Sequence, residues 1–126
     1  ETMYADLEEA FVQYPEIKAY IPVDTWNNLC WFGSIYGYAN KVKTACLQVA
    51  ALEPNDPDIR DSLALWRALT GDTKGAVEDF QEAINGWKER NGPGDAENAE
   101  QRLQWIEDLK AGVYPFSDDV ISSLIQ

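Results

Sequence analysis

Apolar residues recur along this chain at spacings of three and four, and that spacing predicts helices almost from end to end. Leu7, Ala10, Phe11 and Tyr14 form one stripe and predict a helix over 3–14, ended by Pro15. Residues 17–22 read as a short link. Trp26, Leu29, Cys30, Phe32 and Gly33 predict a second helix that runs to about Tyr36, with Asp24 placed to cap it. Gly37-Tyr38 reads as a tight turn between helices. Val42, Ala45, Cys46, Val49 and Leu52 then predict a helix over 39–53. Asn55-Asp56-Pro57 is a start signal, with Asp56 as N-cap and Pro57 at the first helical position. That helix runs to Leu69 or Thr70. Gly71 turns the chain, and Asp72 caps a helix ending near Arg90, whose stripe is Ala76, Val77, Phe80, Ala83, Ile84 and Trp87. Beyond the breaker Asn91-Gly92-Pro93-Gly94, a helix over 95–111 carries Ala99, Leu103, Ile106 and Leu109 on one face. Glu97, Glu100, Glu107 and Asp108 occupy its other face. Ser117 can cap a last short helix, with Phe116 and Ile121 positioned to pack across the cap. No strand is expected.

The stripes repeat. Gly37 and Gly71, Leu29 and Leu63, Phe32 and Trp66, Val42 and Ala76, Cys46 and Phe80, and Val49 and Ala83 are each 34 residues apart. This is the period of the tetratricopeptide (TPR) repeat, a pair of antiparallel helices, and the chain resembles that family. The family pattern is W-x2-L-G-x2-Y, then A-x3-F, then P. The first copy offers Trp26 and Leu29, with Cys30 at the small position, then Val42, Cys46 and Pro54. The second offers Leu63, Ala64, Ala76, Phe80 and Ala83, but carries Arg60 for the Trp and Lys88 for the Pro. The Tyr position holds Gly33 and Arg67. Leu7, Ala10 and Pro15 repeat the spacing of a second helix, so residues 1–15 read as a half-repeat. The resemblance implies one all-α domain over 1–126: a half-repeat at 1–15, repeats at 24–54 and 57–90, and capping helices at 95–126. Such a stack of antiparallel helix pairs (an α-solenoid fragment) would hold about six or seven helices.

Trp26-Asn27-Asn28-Leu29-Cys30-Trp31, Arg60-Asp61-Ser62, Ala68-Leu69-Thr70-Gly71-Asp72 and the tail through Trp105 to Pro115-Phe116 resemble a TPR-like module of large bacterial multidomain proteins. There the module sits beside caspase-like, nucleotide-hydrolysing or β-propeller domains. This implies a piece of a longer signalling or effector protein, with a connector role and any chemistry located elsewhere.

Charge narrows the partners. The chain has 22 acidic and 10 basic residues and a formal net charge of −12. That repels phosphate backbones and anionic membrane surfaces, so neither nucleic acid nor membrane is expected. It is compatible with a basic partner or with simple solubility. No apolar run approaches the roughly 20 residues of a membrane span. Cys30 and Cys46 fall at packing positions on the two helices of one repeat. They read as buried free thiols in a reducing, cytoplasmic setting, with a disulfide as the alternative. The chain has no histidine, which removes Ser-His-Asp and Cys-His chemistry and leaves too few ligands for a metal. Asp56, Asp58 and Asp61 lack the turn Gly and the twelfth-position Glu of a calcium loop. No cofactor and no catalytic residue are expected, and carboxylate-based catalysis stands as a weak alternative.

The TPR resemblance implies a concave wall lined by the first helix of each pair. Carried onto this chain, the lining residues are Asp24, Asn27, Trp31 and Ser34 in copy one, and Asp58, Asp61, Leu65 and Ala68 in copy two. Asn can hold a peptide backbone and Trp gives a large anchor, although Trp31 reads equally well as core. The family's carboxylate clamp needs Lys or Arg where this wall has acids. A neutral or basic protein segment, or another domain of the same protein, is therefore the expected ligand. The alternative is self-association through an open stripe of Leu7, Phe11 and Tyr14 on the half-repeat.

Overall fold

Caps and breakers set most of the helix boundaries. The computed structural model describes residues 2–125, which are helical with no strand among them. The α-helices are α1 (Thr2–Gln13), α2 (Val23–Gly33), α3 (Lys43–Leu52), α4 (Pro57–Leu69), α5 (Thr73–Arg90), α6 (Asp95–Lys110) and α7 (Asp118–Ile125). Single 3-10 segments occupy Pro15–Tyr20 and Ala39–Lys41, and a wide turn covers Ser34–Tyr38. Asp56 Oδ1 accepts from the Asp58 N–H at 2.9 Å, and Asp72 Oδ1 accepts from the Gly75 N–H at 2.9 Å. Ser117 Oγ accepts from the Val120 N–H at 3.3 Å. These are the three expected N-caps that form. At Gly37, φ is +93°, a conformation that a side chain would strain, and there the chain turns toward α3.

Two helix starts differ from the sequence reading. Asp24 does not cap α2, because the helix begins one residue earlier after Pro22, leaving Asp24 in the first turn. Its charge there still complements the helix dipole. The third helix starts at Lys43 rather than 39, and its N-terminus has no capping side chain of its own. Glu8 of α1 supplies one from a distance, accepting from the Thr44 N–H at 2.9 Å and from Thr44 Oγ1 at 2.6 Å. A carboxylate at a helix N-terminus satisfies free N–H groups and meets the positive end of the dipole. This contact ties α1 onto the α2–α3 pair.

The helices pack in pairs: α2 with α3, and α4 with α5, with α4 also against α2 and α3, and α6 against α5. Leu65, Ala64, Phe80, Ala83, Ile84 and Trp87 form the centre of the largest apolar cluster, which Trp105, Ile106 and Phe116 extend. A second cluster joins Tyr4, Cys30, Val42, Cys46 and Leu63, and a third joins Phe11, Trp26, Ala45, Val49 and Ile59. Equivalent positions of the two copies are buried alike: Cys30 and Ala64, and Cys46 and Phe80, are all 0% exposed.

Three expectations are corrected by this packing. First, Cys30 and Cys46 are not free thiols; they form a disulfide across α2 and α3. The two positions face one another with 4.8 Å between Cα atoms, within bonding reach. Second, the half-repeat has no open apolar stripe. Phe11 is 4% exposed with its ring 5.1 Å from that of Trp26, Leu7 is half-buried, and Tyr14 alone of the stripe stands out. Third, Leu103 does not face the core; it is 46% exposed, and Arg102 takes the buried position beside it. The buried face of α6 is Ala99, Arg102, Trp105, Ile106 and Leu109. Gly33 also gains a reason. A methyl group at this position would collide with Val42 and the Tyr4 ring, so the bulk that the repeat pattern places here comes from α1 instead.

The disulfide closes a loop of 16 residues, and constraining the unfolded chain over that length contributes about 3 kcal/mol. Urea unfolding with and without dithiothreitol should differ by that amount, with the reduced midpoint lower. Alkylation of the unfolded, unreduced chain should add no mass. Addition of two alkyl groups would show that the bond is not formed.

Candidate functional site

An arginine inside an apolar stripe is the first sign of a special site. Arg102 follows Ala99 by three positions and precedes Ile106 by four, so its side chain enters the core with theirs. It lies 5% exposed and meets Asp61 of α4, also 5% exposed. Arg102 Nε donates to Asp61 Oδ1 at 2.8 Å and Nη2 donates to Oδ2 at 2.7 Å, the two-pronged geometry that guanidinium and carboxylate favour. A third donor, Nη1, is taken by Gln101 Oε1. The guanidinium carbon lies 4.5 Å from the Trp105 ring centre, 5.5 Å from Trp87 and 5.8 Å from Trp31. Three aromatic faces and one carboxylate thus surround one cation. Burial pushes the Asp61 carboxyl above its ordinary range, and the Arg102 hydrogen bonds act against that shift.

Beside this pair opens a cleft of about 240 Å³ between α2, α4, α5 and α6. Asn27, Asn28, Trp31 and Phe32 of α2 form one wall. Asp58, Asp61 and Ser62 of α4 form the floor, and Trp87 and Asn98 close the far side. Asp58 is held in place from two directions. Trp87 Nε1 donates to its Oδ1 at 2.8 Å, and Arg90 donates to both oxygens at 3.0 Å. The other edge of Arg90 grips Asp95 with two bonds of 2.9 Å. The hydrogen bonds from Arg90 hold the Asp58 carboxyl below its ordinary value, and do the same for Asp95.

The charge of the cleft is therefore much smaller than its residues imply. Asp61 is neutralised by Arg102, and Asp58 and Asp95 share Arg90. What remains open to a ligand is carboxamide and aromatic surface. Phe32 is 38% exposed, and Asn28 and Asn98 are exposed. The Asn27 Oδ1 atom is buried with no donor from this chain. A buried acceptor without a donor costs about 1–3 kcal/mol, so this amide is a point of local strain in the cleft wall.

Of the eight residues expected on the wall, Asn27, Trp31, Asp58 and Asp61 come together here. The other four do not reach the cleft. Asp24 is exposed outside the lining. Ser34 is 2% exposed and borders a separate hollow with Gly37, Ala39, Asn40, Leu69 and Thr70. Leu65 is 0% exposed, and Ala68 is half-buried against the same core. The physical reason is the position of α4: neighbouring helices cover both of its sides, so the residues one and two turns beyond Asp61 become core. Trp87 and Asn98 were missed because pair-wise register names only first helices, and Phe32 because it was assigned to the packing stripe of α2. Arg102 was missed as well, although its three-and-four spacing from Ala99 and Ile106 is a signal that could have found it.

A larger hollow of about 450 Å³ lies by Arg60, Glu78, Asp79 and Lys110. Its charges already serve a clamp between α4 and α5. Arg60 Nη1 lies 2.6 Å from Asp79 Oδ1, and Arg67 Nε lies 3.2 Å from Oδ2. Burial raises the Asp79 carboxyl, opposed by both arginines. No cluster of three metal-ligating side chains occurs among the described residues, and no helix there is long and apolar enough to cross a membrane. No protein-family model, curated protein or solved structure matches the chain.

Removing one partner of a buried pair strands the other. Arg102→Met should cost about 3–5 kcal/mol in chemical denaturation, and the double variant Arg102→Met, Asp61→Leu should regain most of it. Equal loss in both would remove the pair from its central role. Asp58 has the opposite pKa sign from Asp61. Its stabilising contribution is present above the ordinary carboxylate value of 3.8 and is lost as pH falls through its lowered folded value. Asp58→Asn should therefore flatten the fall in stability below about pH 4.

Proposed function

We propose that the chain is a TPR-like recognition module that takes an extended, largely uncharged segment of a partner protein in the cleft between α2, α4, α5 and α6. The partner can equally be another domain of the same protein. The observation that carries this reading is the convergence of exposed carboxamides, Asn28 and Asn98, and aromatic rings, Trp31 and Phe32, on one cleft. Peptide backbones supply N–H donors at regular spacing, and aromatic faces accept apolar side chains. Support for a stacked-pair arrangement comes from the 34-residue spacing and from α4 packing against both helices of the preceding pair.

The sequence alone pointed to a neutral or basic ligand, on account of Asp58 and Asp61. Their pairing with Arg90 and Arg102 favours the neutral one. A connector role in a bacterial signalling or effector protein rests on sequence resemblance. Self-association through α1 loses its motive, since the stripe that would drive it is covered. The cytoplasmic reading leaned on free thiols, and a buried disulfide belongs more naturally to an oxidising compartment.

The test is random-peptide display panned on the folded chain, followed by affinity measurement on the enriched peptides. Asn28→Lys combined with Phe32→Lys places two charges on exposed positions that carry no core packing. This variant should bind at least about tenfold more weakly, as hot-spot loss does, at an unchanged melting temperature. Enrichment of no peptide, or equal binding by the variant, would overturn the cleft reading.

A further inference from the structure

Two asparagines of this chain precede a glycine, and the fold treats them differently. Asparagine is a thermolabile residue, most of all before glycine, whose bare Cα lets its own nitrogen approach the asparagine amide. Asn85-Gly86 lies inside α5, where the helical ladder occupies the Gly86 N–H. Asn91-Gly92 lies just past the end of that helix. Asn91 is exposed, and it alone among the described non-glycine residues has a positive φ, with φ +50° and ψ +45°. At this ψ the Gly92 nitrogen points away from the Asn91 Cβ, on the far side of the Cα–C bond. The Gly92 N–H donates to Asp95 Oδ2 at 2.8 Å. Asp95 is 4% exposed, and Arg90 grips it through Nε and Nη2, each at 2.9 Å. The nitrogen that would attack the Asn91 amide is therefore turned away, and its proton is held.

We propose that Asn91 is a guarded site of spontaneous deamidation, and that the Asp95 carboxylate is its guard. For reaction, the Gly92 nitrogen gives up its proton to solvent base and forms a bond to Asn91 Cγ. The Cγ–Nδ2 bond breaks, ammonia leaves, and a cyclic imide remains. Water then reopens the ring. Addition at Cγ gives aspartate, and addition at the main-chain carbonyl gives isoaspartate, in which the chain runs through Cβ and Cγ. Water is the one co-reactant, and nothing is oxidised or reduced. A carboxylate bonded to the Gly92 N–H opposes the first step, because it stabilises the protonated nitrogen and disfavours an anion beside it. Reaction therefore waits for the turn to open locally, and each altered chain records an opening. The change is one-way. It sets a new carboxylate next to Arg90, whose other edge holds Asp58. This site does not depend on the cleft reading.

The test uses the full, folded chain, held at mildly alkaline pH and then mapped by proteolysis and mass spectrometry. Deamidation at Asn91 is compared with that in a synthetic peptide of residues 87–96, and Asn85 is the control within the chain. Asn91 in the chain should react at least about tenfold more slowly than in the peptide, the scale set by a hydrogen bond to a charged group. Asp95→Ala, folded by circular dichroism, should bring Asn91 close to the peptide rate and leave Asn85 unchanged. A second measurement needs no variant: exchange of the Gly92 amide proton in the parent chain, followed by NMR, should also be at least about tenfold slower than in the peptide. Parent and peptide reacting alike would overturn the proposal. So would a folded variant as slow as the parent, or a folded variant in which Asn85 and Asn91 speed up together, since the restraint would then be the whole helix. Gly92 exchange at the peptide rate would overturn it even where the variant does not fold.

Discussion

A single buried cation fixes the relation between the last long helix and the two pairs before it. Arg102 and Asp61 are far apart in the chain, on α6 and α4, and each would be costly to bury alone. Together they satisfy one another through two hydrogen bonds, and Gln101 takes a further guanidinium donor. The three tryptophans around the cation come from α2, α5 and α6. Apolar packing tolerates small sliding, but a two-pronged ion pair inside an aromatic ring of neighbours has one good arrangement. The shape of the adjacent cleft is a consequence, because Trp31, Trp87 and Asp61 are shared by the cage and the cleft wall.

Each layer of the molecule is held by a different device at the same structural place. The first pair is crossed by the Cys30–Cys46 bond, where the second pair has Ala64 and Phe80 in the equivalent positions. A cysteine carries far less bulk than a phenylalanine, so the covalent link compensates for a thinner interior. The second pair adds the Arg60–Asp79–Arg67 clamp to its apolar core. The half-repeat is tied on by Glu8 at the start of α3 and by the Phe11–Trp26 contact. The two helix pairs are thus fastened by different side chains.

Much of the helix order was legible because periodicity and caps act locally. Asp56, Asp72 and Ser117 marked helix starts through hydrogen bonds made within three residues, and such contacts can be read from sequence. What failed depended on distant partners. The third helix starts at Lys43 because Glu8, on another helix, caps it. The thiols pair because folding brings two helices face to face. Leu65 and Ala68 leave the expected wall because flanking helices cover α4. Half of the candidate wall was legible, since Asn27 and Asp61, 34 residues apart, occupy equivalent places on adjacent first helices. The far side of the cleft, Trp87 and Asn98, was not, because no repeat register relates it to them.

The charge of the chain and the charge of the cleft point different ways, and the difference bears on recognition. A net charge of −12 comes mostly from exposed carboxylates, whose field acts at long range. Inside the cleft Asp61 is held by Arg102, and Asp58 by Arg90, which also holds Asp95, so a cation entering there would compete with Arg90 or Arg102 rather than meet a free carboxylate. A competing cation would have to break bonds already made at 2.7–3.0 Å and leave an arginine unpaired. On the proposed peptide reading, an uncharged backbone would meet no such penalty, and its side chains would meet Trp31 and Phe32. On the same proposal, long-range attraction would favour a basic partner while the contact itself would select an uncharged stretch, so approach rate and bound-state selectivity would be set by different parts of one surface.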